Sequence, residues 1–163
     1  MGKKGYQIIV LILALVTLTG VVLTGVIYTD RQNFEQTVVV DTNGVTQQNL
    51  SFSPPKIFPG ETSVCKINLA SRASGDFKIL LDYVGLEGGT LNEFVRVAVC
   101  CEEWSDEYAL SDLVAGKKVE FVTKCVAGQQ KTVTLSYFIP SSVGNEAQGK
   151  EAKFDVFLTM SLE

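Results

Sequence analysis

Histidine is absent from the 163 residues of this sequence. Histidine is the side chain best suited to general-base chemistry near neutral pH, and it is the most common protein ligand of metals. No pairing of a nucleophile with a base is recognisable among the residues that remain. We therefore predict that the protein is not an enzyme, and we assign no residue a catalytic, cofactor-binding or metal-ligating role.

Positive charge is also scarce. The chain has 14 basic and 18 acidic residues, and all of the acidic residues but only 12 of the basic ones follow Tyr28, which gives that part a net charge of about −6. Proteins that bind nucleic acids release counterions from phosphates through a basic stripe, and no such stripe is present. Nucleic acid is therefore not an expected partner, and the acidic domain is not expected to dock on anionic lipid.

Charge is missing altogether from residues 8–27, which read IIVLILALVTLTGVVLTGVI. Twenty helical residues span about 30 Å, the thickness of the hydrocarbon core of a bilayer. Lys3 and Lys4 precede this run, so the positive-inside rule predicts a cytoplasmic N-terminus and export of the rest of the chain. We interpret residues 1–30 as a signal peptide or membrane anchor and residues 31–163 as an extracellular domain, secreted or held at the cell surface.

Three fates of this apolar segment stay open. An uncut segment would hold the protein in the membrane through residues 8–27. Cleavage as a signal peptide is the second possibility, although the site around residues 22–24, Val-Leu-Thr, lacks the usual small residues. The third is a type IV prepilin leader cut after Gly5, which would make the protein a pilin-like filament subunit.

Apolar and polar residues alternate through most of the remaining chain, which is typical of half-buried strands. This pattern predicts strands at residues 63–71, 76–84, 94–101, 118–126, 132–139 and 153–162, separated by turns rich in Gly, Pro and Asn. No helix is long enough for a β-α-β unit. The expected fold is all-β: an antiparallel jelly-roll or Ig-like sandwich preceded by one N-terminal transmembrane or signal helix.

Two further segments need separate treatment. Residues 32–52 contain the β-branched run at 37–40 and the turn signal Asn43-Gly44, which together predict a hairpin. Residues 102–107 carry four carboxylates around Trp104, and we predict a solvated acidic loop there. Oxygen ligands of this kind also suit calcium. Residues 108–115 are expected to form one or two helical turns.

The four cysteines, Cys65, Cys100, Cys101 and Cys125, lie in or beside predicted strands. In an exported domain this number suggests two disulfides with three possible pairings. Cys65 and Cys125 share the apolar faces of their strands, which favours pairing with each other or with Cys101. The alternatives are free buried thiols, a four-thiolate metal site, and a thiol-redox or metal-handling module built on Cys100 and Cys101.

Several short motifs resemble the TasA/camelysin family of bacterial cell-surface and biofilm-matrix fibre proteins. They are the apolar segment running into IYTD at 27–30, FPG at 58–60 followed by a strand reaching Asn68, residues 110–116, LSYFIP at 135–140 and GNEAQG at 144–149. The resemblance implies a jelly-roll sandwich and export by a dedicated signal peptidase. The metalloprotease activity associated with the camelysin branch is not carried over, because a chain without histidine has no HExxH site.

The resemblance also implies subunits that form extracellular fibres by lending an N-terminal strand to a neighbour. The candidate donor strand spans residues 34–40 and includes Phe34, Thr37, Val38, Val39 and Val40. The expected function is a non-enzymatic structural subunit that associates with itself. The alternatives are a membrane-tethered binding module that presents loops such as residues 102–107, and the pilin-like filament subunit.

Overall fold

The computed structural model describes residues 33–40, 46–50, 57, 59–102 and 104–163, and of residues 33–40, 46 and 47 the backbone alone. The predicted N-terminal transmembrane or signal helix lies outside these residues. Among the residues that are described, no helix has the length and hydropathy needed to cross a membrane. The described elements are β1 (Asn33–Val40), β2 (Thr46–Leu50), β3 (Thr62–Ser71), β4 (Gly75–Gly85), β5 (Arg96–Cys101), β6 (Trp104–Ala109), α1 (Leu110–Val114), β7 (Val119–Cys125), β8 (Gln130–Phe138), a 3-10 turn (Asn145–Ala147) and β9 (Phe154–Leu162).

The strands form because alternate side chains are apolar and can be buried on one face of a sheet. In β7, for example, Val119, Phe121, Thr123 and Cys125 are buried while the residues between them are exposed. The same period of two is seen in β3, β5 and β9. The six strands predicted between residues 63 and 162 are therefore confirmed, with bounds that differ by one or two residues.

Two sheets pack face to face as a sandwich. The first has the strand order β1-β3-β8-β5-β6, and the second has the order β2-β9-β4-β7. From β2 to β9, the order within each sheet is that of an eight-stranded jelly roll, to which β1 is added beside β3. All of these pairings are antiparallel except that of β1 with β3, which is parallel. The predicted all-β antiparallel sandwich is thus confirmed.

The predicted hairpin in residues 32–52 is wrong. Both strands exist, but β1 pairs with β3 in the first sheet and β2 pairs with β9 in the second. The Asn-Gly turn at 43–44 lies outside the described residues. A turn signal indicates a local change of chain direction, whereas here each strand completes the edge of a different sheet.

The predicted acidic loop is also wrong in structure. Trp104–Ala109 is the edge strand β6, which pairs with β5 through Cys101↔Trp104 and Arg96↔Ala109. Edge strands often carry exposed charges, which prevent pairing with other chains, and such charges hide the period of two. The short helix expected at residues 108–115 is confirmed as α1, although Tyr108 and Ala109 belong to β6.

The core between the sheets consists of aliphatic and aromatic side chains and includes two fully buried tyrosines. Their hydroxyl groups, on Tyr83 of β4 and Tyr137 of β8, lie 3.2 Å apart and share a hydrogen bond across the sandwich. The Phe154 ring packs beside both, with centroids 5.8 Å from Tyr83 and 5.6 Å from Tyr137. These contacts join β4 and β9 of one sheet to β8 of the other.

Candidate functional site

The candidate donor strand forms one edge of the first sheet. All five of its proposed residues, Phe34, Thr37, Val38, Val39 and Val40, lie in β1 and pair with residues 65–71 of β3. Phe34 is opposite Cys65, Val38 is opposite Leu69, and Val39 is opposite Ala70. Cys65 and Leu69 are buried, whereas Ala70 is half-buried. In this register, every second residue of β1 is opposite a buried residue of β3, and the residues between them are opposite half-buried or exposed ones.

The strands at the two sides of the sandwich differ in charge. On one side, β1 has one acidic residue, Glu35, and β2 has none. We call this the β1/β2 side. On the other side, the edge strands β6 and β7 expose Asp106, Glu107, Glu120 and Lys124. We call this the β6/β7 side. Charged edge strands resist pairing with another chain, so the β1/β2 side is the one better suited to strand addition.

The β6/β7 side is closed by side-chain contacts between the sheets. The Trp104 ring stacks on Phe121 with centroids 4.3 Å apart and an interplanar angle of 16°. The Lys131 ammonium lies 2.7 Å from the Glu102 carboxylate and donates a hydrogen bond of 3.3 Å to Thr123 Oγ1. Lys131 and Thr123 were not among the predicted site residues, because their polar atoms meet only after three strands are brought together.

The acidic residues of the β5–β6 hairpin have separate partners. Glu102 pairs with Lys131, whereas Asp106 accepts a hydrogen bond of 2.8 Å from the Glu107 amide. A hydrogen bond with Tyr108 and the one with the Glu107 amide lower the pKa of Asp106. Among the described residues, which do not include Glu103, no three acidic, cysteine or histidine side chains are grouped so that they could hold a metal ion.

All four cysteines are free thiols, so the predicted disulfides are absent from this structure. Cys65, Cys101 and Cys125 are buried, and Cys100 is exposed on the outer face of β5, where its Sγ is 3.9 Å from the Glu102 carbonyl oxygen. Cys65 and Cys101 lie on β3 and β5, which flank β8. Strands at this separation are about 9.5 Å apart. A disulfide needs Cα atoms within about 7 Å, so Cys65 cannot pair with Cys101 without backbone movement.

The burial of three thiols predicts a simple pattern of reactivity. Burial raises the pKa of Cys65 from its ordinary value of 9.0 to about 11, and it also raises the pKa values of Cys101 and Cys125. At pH 8, a thiol with a pKa of 11 is about 0.1% thiolate, which is the reactive form. We expect the reduced native protein to gain one adduct with iodoacetamide at pH 8, and four after unfolding, as counted by intact mass.

The Cys100→Ser variant is the matched control, and it should gain no adduct until it is unfolded. A second adduct that forms on the native protein as fast as the first would contradict the burial of the other three cysteines.

Comparisons with known proteins identify no family. No protein-family model and no curated protein sequence matches the chain. The solved structures that are similar to it include two at low identity. One is PliG of Aeromonas hydrophila, a periplasmic inhibitor of g-type lysozyme, at 11% identity and a TM-score of 0.34 over 80% of this chain and 99% of that one. The other is the pre-peptidase C-terminal domain of a Bacillus anthracis collagenase, at 12% identity and a TM-score of 0.27 over 80% and 97%. Similarities this low carry no functional argument.

Proposed function

We propose that the protein is a non-enzymatic, extracellular structural subunit that assembles into cell-surface or biofilm-matrix fibres by β-strand donation. The observation that carries this proposal is the position of β1. It is an edge strand, it is the one parallel strand of the described sheets, and it is the first described element of the chain. A strand with these properties can leave β3 of its own subunit without unthreading the rest of the sandwich.

Exchange of β1 between subunits would conserve the pairing. Eight residues of β1 pair with eight of β3, from Asn33↔Val64 to Val40↔Ser71. The β1 strand of a neighbouring subunit can make the same eight pairs, so the exchange loses no backbone hydrogen bonds. Because each subunit both gives and receives one strand, a head-to-tail arrangement that does not close into a ring extends into a fibre.

The sequence around β1 supports the same function. The uncharged run at 8–27 ends only five residues before β1 begins. Cleavage of that run, or its extraction from the membrane, would free the residues that precede β1. This N-terminal segment could then reach a neighbouring subunit. The short motifs that resemble the TasA/camelysin family support the same mode of assembly. An uncut run would instead tether the domain to the membrane.

The proposal is tested by comparing residues 31–163 with a shorter chain that starts at residue 46 and therefore lacks β1. We expect the longer protein to form fibres visible by negative-stain electron microscopy, and the shorter one to stay monomeric by light scattering. A synthetic peptide of residues 31–45 should bind the shorter protein, because it restores the eight pairs with β3. A longer protein that is folded and still monomeric at high concentration would favour the tethered binding module instead.

A further inference from the structure

Two of the buried cysteines face the interior at the same end of the β6/β7 side. Cys101 is the last residue of β5 in the first sheet, and Cys125 is the last residue of β7 in the second. Each is 3% exposed. Cys101 pairs with Val133, near the start of β8, and Cys125 pairs with Gly75, at the start of β4. Both positions are at the same end of the sandwich.

Contacts on both sides of Cys101 hold it against β7. Its hairpin partner Trp104 stacks on Phe121, and its neighbour Glu102 is joined through the Lys131 ammonium to Thr123. The Thr123 side chain also lowers the pKa of the Cys101 thiol, which burial raises. Thr123 and Cys125 are two residues apart on the same buried face of β7. Both thiols therefore face the interior at the same end of the β6/β7 side.

The other cysteines do not share this position. Cys65 is separated from Cys101 by β8, and its thiol lies near the Tyr83–Tyr137 pair, where it raises the pKa values of both tyrosines. Cys100 is exposed, because consecutive residues of a strand have side chains on opposite faces. Of the pairings that four cysteines allow, one joins two buried thiols that lie at the same end of the sandwich.

We propose that Cys101 and Cys125 are an oxidisable pair that forms a disulfide between the two sheets. This proposal does not depend on fibre formation. The bond would hold the edge strand β7 to β5, on the side of the sandwich away from β1. It would thus brace the domain while leaving the β1/β2 side free.

The reaction needs a small disulfide such as oxidised glutathione as the oxidant. One cysteine thiolate attacks a sulfur of that disulfide, which forms a mixed disulfide and releases the first glutathione thiol. The second cysteine, after losing its proton to solvent, attacks the protein sulfur of the mixed disulfide and releases the second glutathione thiol. Two protein thiols are oxidised, and one glutathione disulfide is reduced to two thiols.

The charges around the pair act on both thiols. Burial raises the pKa of Cys101 and of Cys125, and the Lys131 ammonium lowers both. The Glu102 carboxylate opposes Lys131 at both positions, and Cys100 also raises the pKa of Cys101. Oxidation in the native state is therefore expected to be slow at pH 7 and faster at pH 9, where more thiolate is present.

The test uses the full chain in detergent, with Cys65 and Cys100 both replaced by serine so that Cys101 and Cys125 are the remaining thiols. The protein is incubated with oxidised glutathione at pH 8.5, both in the native state and during refolding from urea. It is then unfolded and alkylated. We expect a mass lower by about 2 Da, no alkylated cysteine after denaturation, and a rise of roughly 5–10 °C in Tm that is reversed by a reducing agent.

Cys125→Ala in the same background is the matched control, because it retains Cys101 and should give a glutathione adduct or a free thiol without the rise in Tm. Circular dichroism establishes that each variant is folded. Two free thiols after refolding with the oxidant, or a stable double glutathione adduct, would overturn the proposal. A bridge between Cys65 and Cys125 in the wild-type chain, found by peptide mapping, would also overturn it.

Discussion

Val38→Asp is expected to abolish fibre assembly while leaving the sandwich folded. Position 38 is in register with Leu69, which is 1% exposed in the core. Paired residues of neighbouring strands lie on the same face of a sheet, so docking the variant strand would place a carboxylate against that core. An unpaired buried charge costs about 3–5 kcal/mol, which corresponds to a loss of roughly 10²–10⁴-fold in affinity for the strand. Light scattering and electron microscopy of residues 31–163 measure the loss.

Val39→Asp is the matched control for this prediction. Position 39 is in register with Ala70, which is half-buried on the other row of β3. An aspartate there can be hydrated, so assembly should occur at a concentration within about threefold of the wild type. If both variants assembled normally, β1 would not be the donor strand. If neither assembled, the parallel register of β1 with β3 would not describe the contact in the fibre.

Leu135→Ala is expected to have the largest effect on stability. Leu135 lies on the central strand β8 and is 0% exposed, with Cys65 of β3 opposite on one side and Val99 of β5 on the other. Truncation removes three carbon atoms from a site that is held by two neighbouring strands, so a cavity should remain. Such changes cost about 2–5 kcal/mol, a large share of the stability of an ordinary domain. We expect the midpoint of urea unfolding to fall without a change in its slope.

Val122→Ala provides the comparison. Val122 is also a strand residue, but it is 50% exposed on β7, so its truncation should cost less than about 1 kcal/mol. Equal losses in the two variants would mean that β8 is not at the centre of a packed core. A difference of at least about 1 kcal/mol in the expected direction is consistent with the sandwich described above.

Sequence reasoning succeeded where one face of a strand is buried. The period of two predicted β3, β4, β5, β7, β8 and β9, and it placed Cys65 and Cys125 among the apolar residues, where the structure also has them. It failed for β6, because Ser105, Asp106 and Glu107 are consecutive exposed residues of an edge strand. A strand that buries only part of one face gives too weak a pattern to distinguish it from an acidic loop.

The sequence alone did not predict which strands pair with each other or which side chains become neighbours. The segments around residues 33–40 and 46–50 were predicted as strands, but local turn chemistry suggested that they pair with each other, whereas they complete different sheets. The proposed pairing of Cys101 with Cys125 likewise depends on which strands are neighbours, since β8 separates Cys65 from Cys101.

By itself, the sequence determined the β class of the domain, its net negative charge and its lack of histidine. These properties follow from local patterns, because burial of one strand face and net charge can be read from neighbouring residues. The tertiary structure alone decided that β1 is a parallel edge strand, that the β6/β7 side is charged and closed, and that Cys101 and Cys125 lie at the same end of the sandwich. Those properties depend on the order of strands in the sheets, which is set by the packing of the whole core.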